Sequence, residues 1–133
     1  MELPLVIGQL RRRLQRAGND AALSWSHLAV LSRLAKDGAM STSQLARTES
    51  MRPQSMGVLL ASLEERGLVE REAHPSDRRQ VMFSLTTTGA ATNKQRRTTR
   101  QQWLVRAISE LETDEQQVLV AAIKLLKRLG DAD

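Results

Sequence analysis

Apolar residues recur every three and four positions through most of this chain, the period of helices that bury one side. Leu3, Val6, Ile7, Leu10, Leu14 and Ala17 form the first such stripe. Arg11, Arg12, Arg13 and Arg16 fall mostly opposite it, and Gly18-Asn19 is the expected stop. A second helix is predicted from about Ser26 to Asp37 on Leu28, Leu31, Leu34 and Ala35, with Gly38 where a C-terminal glycine belongs. Ser41 and Gln44 have capping-box spacing, and Met40 and Leu45 stand at hydrophobic-staple positions. A short third helix therefore starts there and ends near residues 48–50. Pro53 suits the first position of a fourth helix, where its missing N–H costs nothing. That helix buries Met56, Leu59, Leu60 and Leu63 and ends at Gly67. Its other face, Gln54, Ser55, Gly57, Val58, Ala61 and Ser62, is small or uncharged. A solvated face usually carries Lys and Glu, so a partner lying flush against it is expected.

The period then drops to two. LVEREA (68–73) and QVMFSLT (80–86) read as short strands, with Val81, Phe83 and Leu85 on one side. HPSDRR between them supplies turn chemistry through Pro75, Ser76 and Asp77. A long helix is predicted from about Thr87 to Leu111, roughly 35–40 Å at helical rise. Its first half is polar all round; its second half is apolar at Trp103, Leu104, Ala107, Ile108 and Leu111. Such a helix is expected to bridge two modules. Thr113 and Gln116 repeat capping-box spacing before a last helix with Val118, Leu119, Ala122, Ile123, Leu126 and Leu129 on one face.

Composition narrows the function. The 133 residues fit one domain, and the formal charge is +5. Residues 1–100 hold sixteen basic and nine acidic groups, and residues 101–133 hold four and six. A basic first part favours a polyanionic partner. The absence of cysteine excludes disulfides, thiolate metal sites and thiol redox sensing. His27 and His74 stand far apart without a second ligand at zinc spacing, so neither metal nor cofactor is expected. No nucleophile–base set or glycine-rich phosphate loop is visible, and catalysis is not expected. No apolar run approaches the roughly 20 residues that cross a bilayer. The N-terminal charges follow the apolar stretch, the reverse of a secretory signal, and a cytoplasmic protein without a membrane partner is expected.

The third and fourth helices joined by a short turn have helix-turn-helix order, and the two strands after them would make a wing. A helix about 10–12 Å across fits the major groove of DNA, about 12 Å wide. Arginine at a thin hairpin tip suits the negative potential of the minor groove. Arg78 and Arg79 are therefore expected DNA contacts, with Asp77 holding an arginine extended.

At these residues the chain resembles the MarR family of winged helix-turn-helix transcription regulators. The resemblance is carried by Leu23-Ser24, Leu45-Ala46, LEERGLVER (63–71) and HPSDRRQVMFSLTTTG (74–89), including the wing pattern Asp77, Arg79, Val81, Phe83, Leu85, Thr86. It implies a mainly α fold with a small β-hairpin wing. The DNA-binding lobe would cover about 21–89. Helices within about 1–18 and 103–133 would form a dimerisation platform, and a helix over about 87–111 would connect the two. It also implies a homodimer on a near-palindromic double-stranded operator, acting as a repressor released by a small phenolic or aromatic-carboxylate effector. The implied DNA-facing set is Ser41, Thr42, Arg52, Gln54, Ser55, Val58, Arg78 and Arg79. Dimerisation falls to Leu3, Ile7, Leu10, Leu119, Ile123 and Leu126. An effector cleft would draw on Arg11, Arg12, Trp25, His27 and Leu28. One departure stands out: Gly57-Val58 replaces the Thr-Arg pair common in the family, leaving base contacts to Gln54, Ser55 and Val58. A winged helix used only for protein contacts is the alternative.

Overall fold

The structure, a computed structural model, describes residues 1–18 and 23–132. The elements run α1 (Leu3–Ala17), α2 (Trp25–Asp37), β1 (Met40–Ser41), α3 (Thr42–Thr48), α4 (Pro53–Glu65), β2 (Val69–Ala73), β3 (Val81–Leu85), α5 (Thr87–Ser109) and α6 (Thr113–Gly130). Asn19, expected to help end the first helix, and residues 21–22 at the start of the lobe lie outside the described residues, as does Asp133.

One core organises the lobe. Leu28, Val30, Leu31 and Leu34 of α2 meet Leu45 and Ala46 of α3, the stripe Met56, Leu59, Leu60 and Leu63 of α4, and Leu68, Val69 and Phe83 of the sheet. The α4 stripe is the predicted one. In α2 the stripe is rotated: Val30 is fully buried and Ala35 is exposed. A two-residue strand, too short to read as a period, joins the hairpin and makes β3 central, with Met40 opposite Phe83 and Ser41 opposite Met82. Hairpin register pairs Val69 with Leu85 and Ala73 with Val81.

Local chemistry explains the boundaries. Ser24 caps α2 by accepting from the His27 backbone N–H, and Ser41 caps α3 with Gln44 answering it. The cap of α6 differs from the expected Thr113–Gln116 pair. Glu112 and Glu115 form the box, and Gln116 turns back to donate to the Ile108 and Leu111 carbonyls, tying α6 to the end of α5. Two helices end in Schellman turns. After α4, Leu68 N–H reaches the Leu63 carbonyl and Gly67 N–H the Glu64 carbonyl, with Gly67 at φ 72°. After α3, Met51 bonds Ala46 and Ser50 bonds Arg47, but the left-handed position is Ser50, at φ 54°.

The polar first half of α5 packs closely against the lobe although its pattern is polar all round. Gly89, Asn93 and Arg96 are buried along it. The Thr86 N–H donates to the Leu68 carbonyl, and the Thr86 hydroxyl donates to the Gly67 carbonyl while accepting from Gly89 N–H. A Cβ on Gly89 would overlap the Leu68 carbonyl, so only glycine lets α5 start against the α4–β2 turn. By contrast α1 and α6 contain no buried residue.

Two stability changes follow. Gly89→Ala should cost about 2–4 kcal/mol, because backbone must shift to admit the methyl group. Ser50→Gly should gain about 0.5–1 kcal/mol by relieving left-handed strain. Denaturant unfolding of both variants beside the parent measures each sign.

Candidate nucleic-acid interface

Burying four side chains of α4 fixes which side of that helix faces outward. Gln54, Ser55 and Ala61 are exposed and Val58 is 73% exposed. A Cβ on Gly57 would meet nothing within 4 Å, so this stretch is smooth because it is bare. Arg52 stands at the N-cap of α4, exposed and without a side-chain cap bond. Among the described residues Arg47, Arg52 and Arg78 make no ion pair. Thr42 is half-buried at the first position of α3. Ser41 departs from the expected DNA-facing set. It is 4% exposed, and its hydroxyl accepts the Gln44 N–H, so capping and burial consume it.

The wing is held at both ends of its loop. The His74 ring Nδ1 accepts the backbone N–H groups of Ser76 and Asp77 at 3.1 and 3.0 Å. The Asp77 carboxylate accepts the Arg79 backbone N–H at 3.0 Å and its Nε at 3.2 Å. These bonds hold the Asp77 carboxyl below the usual range; the Arg79 backbone contributes most and its side chain next. Arg79 nevertheless keeps 90% of its side chain exposed, oriented but free at its outer end. Arg78 is exposed beside it. At the base, Arg71 bonds Glu64 at 2.8 Å and lies 5.5 Å from the Phe83 ring, fastening the hairpin to the end of α4. The brace by His74 escaped the sequence reading; the signal was a histidine two residues before the Ser-Asp turn.

The expected effector residues are not gathered into one cleft. Leu28 is 3% exposed and belongs to the core. The His27 ring is taken by its own cap: Nδ1 accepts from Ser24 N–H at 3.0 Å, which leaves Nε2–H to donate to Ser62 at 3.2 Å. Arg12 lies along α1 with Gln9, Gln15 and Arg16. Arg11 and Arg100 instead stand over Trp25 at 5.9 and 5.8 Å, and Arg13 stands over Trp103 at 4.3 Å. These cation–π contacts join α1 to α2 and α5. Burial, then the charges of Arg97 and Arg96, weaken the hold of Arg100 on its proton. The six dimerisation candidates include exposed Leu3, Ile7 and Leu10 on α1, and Ile123 and Leu126 on α6; Leu119 is half-buried.

Comparison with known proteins follows the same lines. Residues 23–81 match the MarR family. The chain is 39% identical over 130 residues to an uncharacterized HTH-type transcriptional regulator of Mycobacterium leprae, covering 98% of this chain and 91% of that one. It is 28% identical over 121 residues to an HTH-type transcriptional repressor of Mycobacterium tuberculosis, covering 91% and 85%. A crystal structure from Pseudomonas aeruginosa superposes with a TM-score of 0.86 at 34% identity, covering 99% and 94%.

Burial, and secondly the Arg66 charge, lower the affinity of His27 for a proton. The unfolded chain therefore takes that proton first. Stability from this group is complete above the unfolded value of about 6.5 and declines as pH falls through it toward the folded value. The melting temperature should drop more between pH 8 and pH 5.5 in the parent than in His27→Gln; equal slopes would remove His27 from the account.

Proposed function

The chain belongs to the MarR family of transcription regulators, and from that premise we propose that it binds double-stranded DNA as a homodimer and represses transcription by occupying its operator. The observation that carries this reading is the pairing of a bare, outward α4 face with a braced wing whose Arg79 is 90% exposed. The α4 face would enter the major groove through Gln54, Ser55 and Val58. Arg52 and Thr42 would contact phosphates beside it, and Arg78 and Arg79 would reach the neighbouring minor groove. Val58 offers a methyl-bearing surface to thymine in place of an arginine that could grip guanine, so the operator would lean toward A·T.

Dimerisation supplies the cover that α1 and α6 lack. Exposed Leu3, Ile7, Leu10, Val118, Ile123, Leu126 and Leu129 would make a large apolar patch on a lone chain. Two α4 helices carried by such a dimer would meet successive major grooves about 34–36 Å apart on a near-palindromic site. A repressor of this design is released when a ligand changes the lobe spacing. Trp25 between Arg11 and Arg100 is the chemistry an aromatic carboxylate or phenol would use.

Fluorescence anisotropy on duplex DNA from upstream of the protein's own gene, across a salt series, tests this reading. Affinity should fall steeply with salt, by a log–log slope of about −0.9 for each phosphate neutralised. Arg79→Ala should weaken binding and flatten that slope by about one. Salt-insensitive or absent binding, unchanged by Arg79→Ala, would point to a winged helix that serves protein contacts.

A further inference from the structure

Two side chains divide the backbone of the wing tip between them. His74 Nδ1 accepts the N–H groups of Ser76 and Asp77, with the Ser76 hydroxyl at 3.4 Å. One oxygen of Asp77 accepts the Arg79 backbone N–H and Nε, and the other accepts the Gln80 amide at 3.4 Å. Gln80 N–H returns to the Asp77 carbonyl, and His74 N–H to the Gln80 carbonyl. The loop therefore hangs on His74 at its start, and the chain of bonds ends on Arg79. None of residues 74–80 belongs to the core, so packing does not take over this task.

A neutral imidazole nitrogen that accepts has one lone pair. Two N–H groups aimed at Nδ1 require the ring hydrogen to be on Nε2. Protonation places a hydrogen on Nδ1 against both donors, and both bonds are lost together. Histidine changes charge between about pH 5 and 8. Asn at this place would accept the same two N–H groups through Oδ1, as in an Asx turn, and would not titrate. The charged neighbours do not replace the lost acceptor. Asp77 is nearest; its carboxyl is lowered most by the Arg79 backbone N–H and least by the His74 charge. An imidazolium would compete with Arg79 for that carboxylate. Arg78 and Arg79 complete the charges of the loop. On β2, Glu70 is exposed, Arg71 is paired with Glu64, and Glu72 takes the Ser84 hydroxyl at 3.5 Å; β3 carries no charge. Asp37 and Arg47 lie beside Met82, and Lys94 and Arg97 beside Ser84, toward the base of the hairpin.

We propose that His74 is a positioning residue that makes the wing pH-dependent: its neutral ring holds the loop so that Arg79 is presented, and its protonation releases the loop. The link to operator affinity rests on the DNA-binding reading above; the change in the loop does not.

The test has two arms, and His27 is present in every chain compared. The first is nitrogen-15 NMR of the free protein from pH 8 to pH 5.5. The ring should be the Nε2–H tautomer at pH 8. The Ser76 and Asp77 amides should shift with the midpoint of the His74 ring, and the Arg79 amide should lose order in the heteronuclear NOE. His74→Ala should leave Arg79 loosened at every pH, and His74→Asn should keep it ordered at every pH. The second arm is anisotropy on the upstream duplex. Parent affinity should fall about three- to tenfold from pH 8 to pH 5.5, the worth of one or two hydrogen bonds. His74→Asn should hold its affinity, and His74→Ala should match the acidified parent. In an Arg79→Ala background, His74→Ala should cost nothing more, because it acts through Arg79. Loop amides that ignore the ring's titration, a His74→Asn loop as pH-dependent as the parent, or additive losses in the double variant would each overturn the proposal. A loop that titrates as stated, in a protein that binds no DNA at either pH, would uphold the wing device and overturn the DNA-binding reading instead.

Discussion

Four side chains decide which face of α4 is turned outward. Met56, Leu59, Leu60 and Leu63 bury one side of α4 so completely that the helix cannot roll. Burying each such side chain is worth about 1.5–3 kcal/mol, so turning even one outward would consume a large part of a domain's stability. The outward residues Gln54, Ser55, Val58 and Ala61 are consequently fixed as a set. The same helix end, through Gly67 and Leu68, sets where the wing begins and where α5 starts.

The wing depends on that junction in turn. Strand β2 leaves directly from the α4 Schellman turn, and the carbonyls of Gly67 and Leu68 receive the start of α5 through Thr86. Helix α4, the hairpin and the long helix α5 therefore share one fastening point, closed by the absence of a side chain at Gly89. At the far end of the hairpin, the His74 ring and the Asp77 carboxylate replace packing as the source of order. A loop tip has no core to lean on, and the short hydrogen bonds there hold the Arg79 backbone while its guanidinium stays in water.

Much of this was legible because it is local or periodic. The α4 stripe, the Ser41–Gln44 box, the Pro53 start and the two hairpin strands all announce themselves within a few residues. What escaped depends on distant partners or on competing neighbours. Strand β1 is two residues long and exists because β3 pairs with it. Glu112 outcompetes Thr113 as the α6 cap, since Gln116 finds better acceptors at the end of α5. Asn93 and Arg96 read as solvated polar residues but are buried, and Asn93 accepts a hydrogen bond from Ser32 of α2. Ser41 looked available to DNA because its type is right; its hydroxyl was already spent on the cap it announced. The effector residues were assembled from a resemblance alone, and the fold separates them into core, cap and surface.

The remaining constraint is charge and cover. Residues 1–100 carry the basic excess, residues 101–133 are net acidic, and the exposed apolar faces are confined to the terminal helices and the end of α5 apart from Val58 and Val81. The proposed dimer through the terminal helices, with the basic side chains of both chains turned to one duplex, would satisfy both at once. Hydroxyl-radical footprinting on DNA upstream of the protein's own gene tests that arrangement most directly. The account predicts paired protected tracts centred about one helical turn apart, each flanked by minor-groove protection from a wing. A single unpaired tract, or none at an ionic strength where the protein is folded, would contradict it.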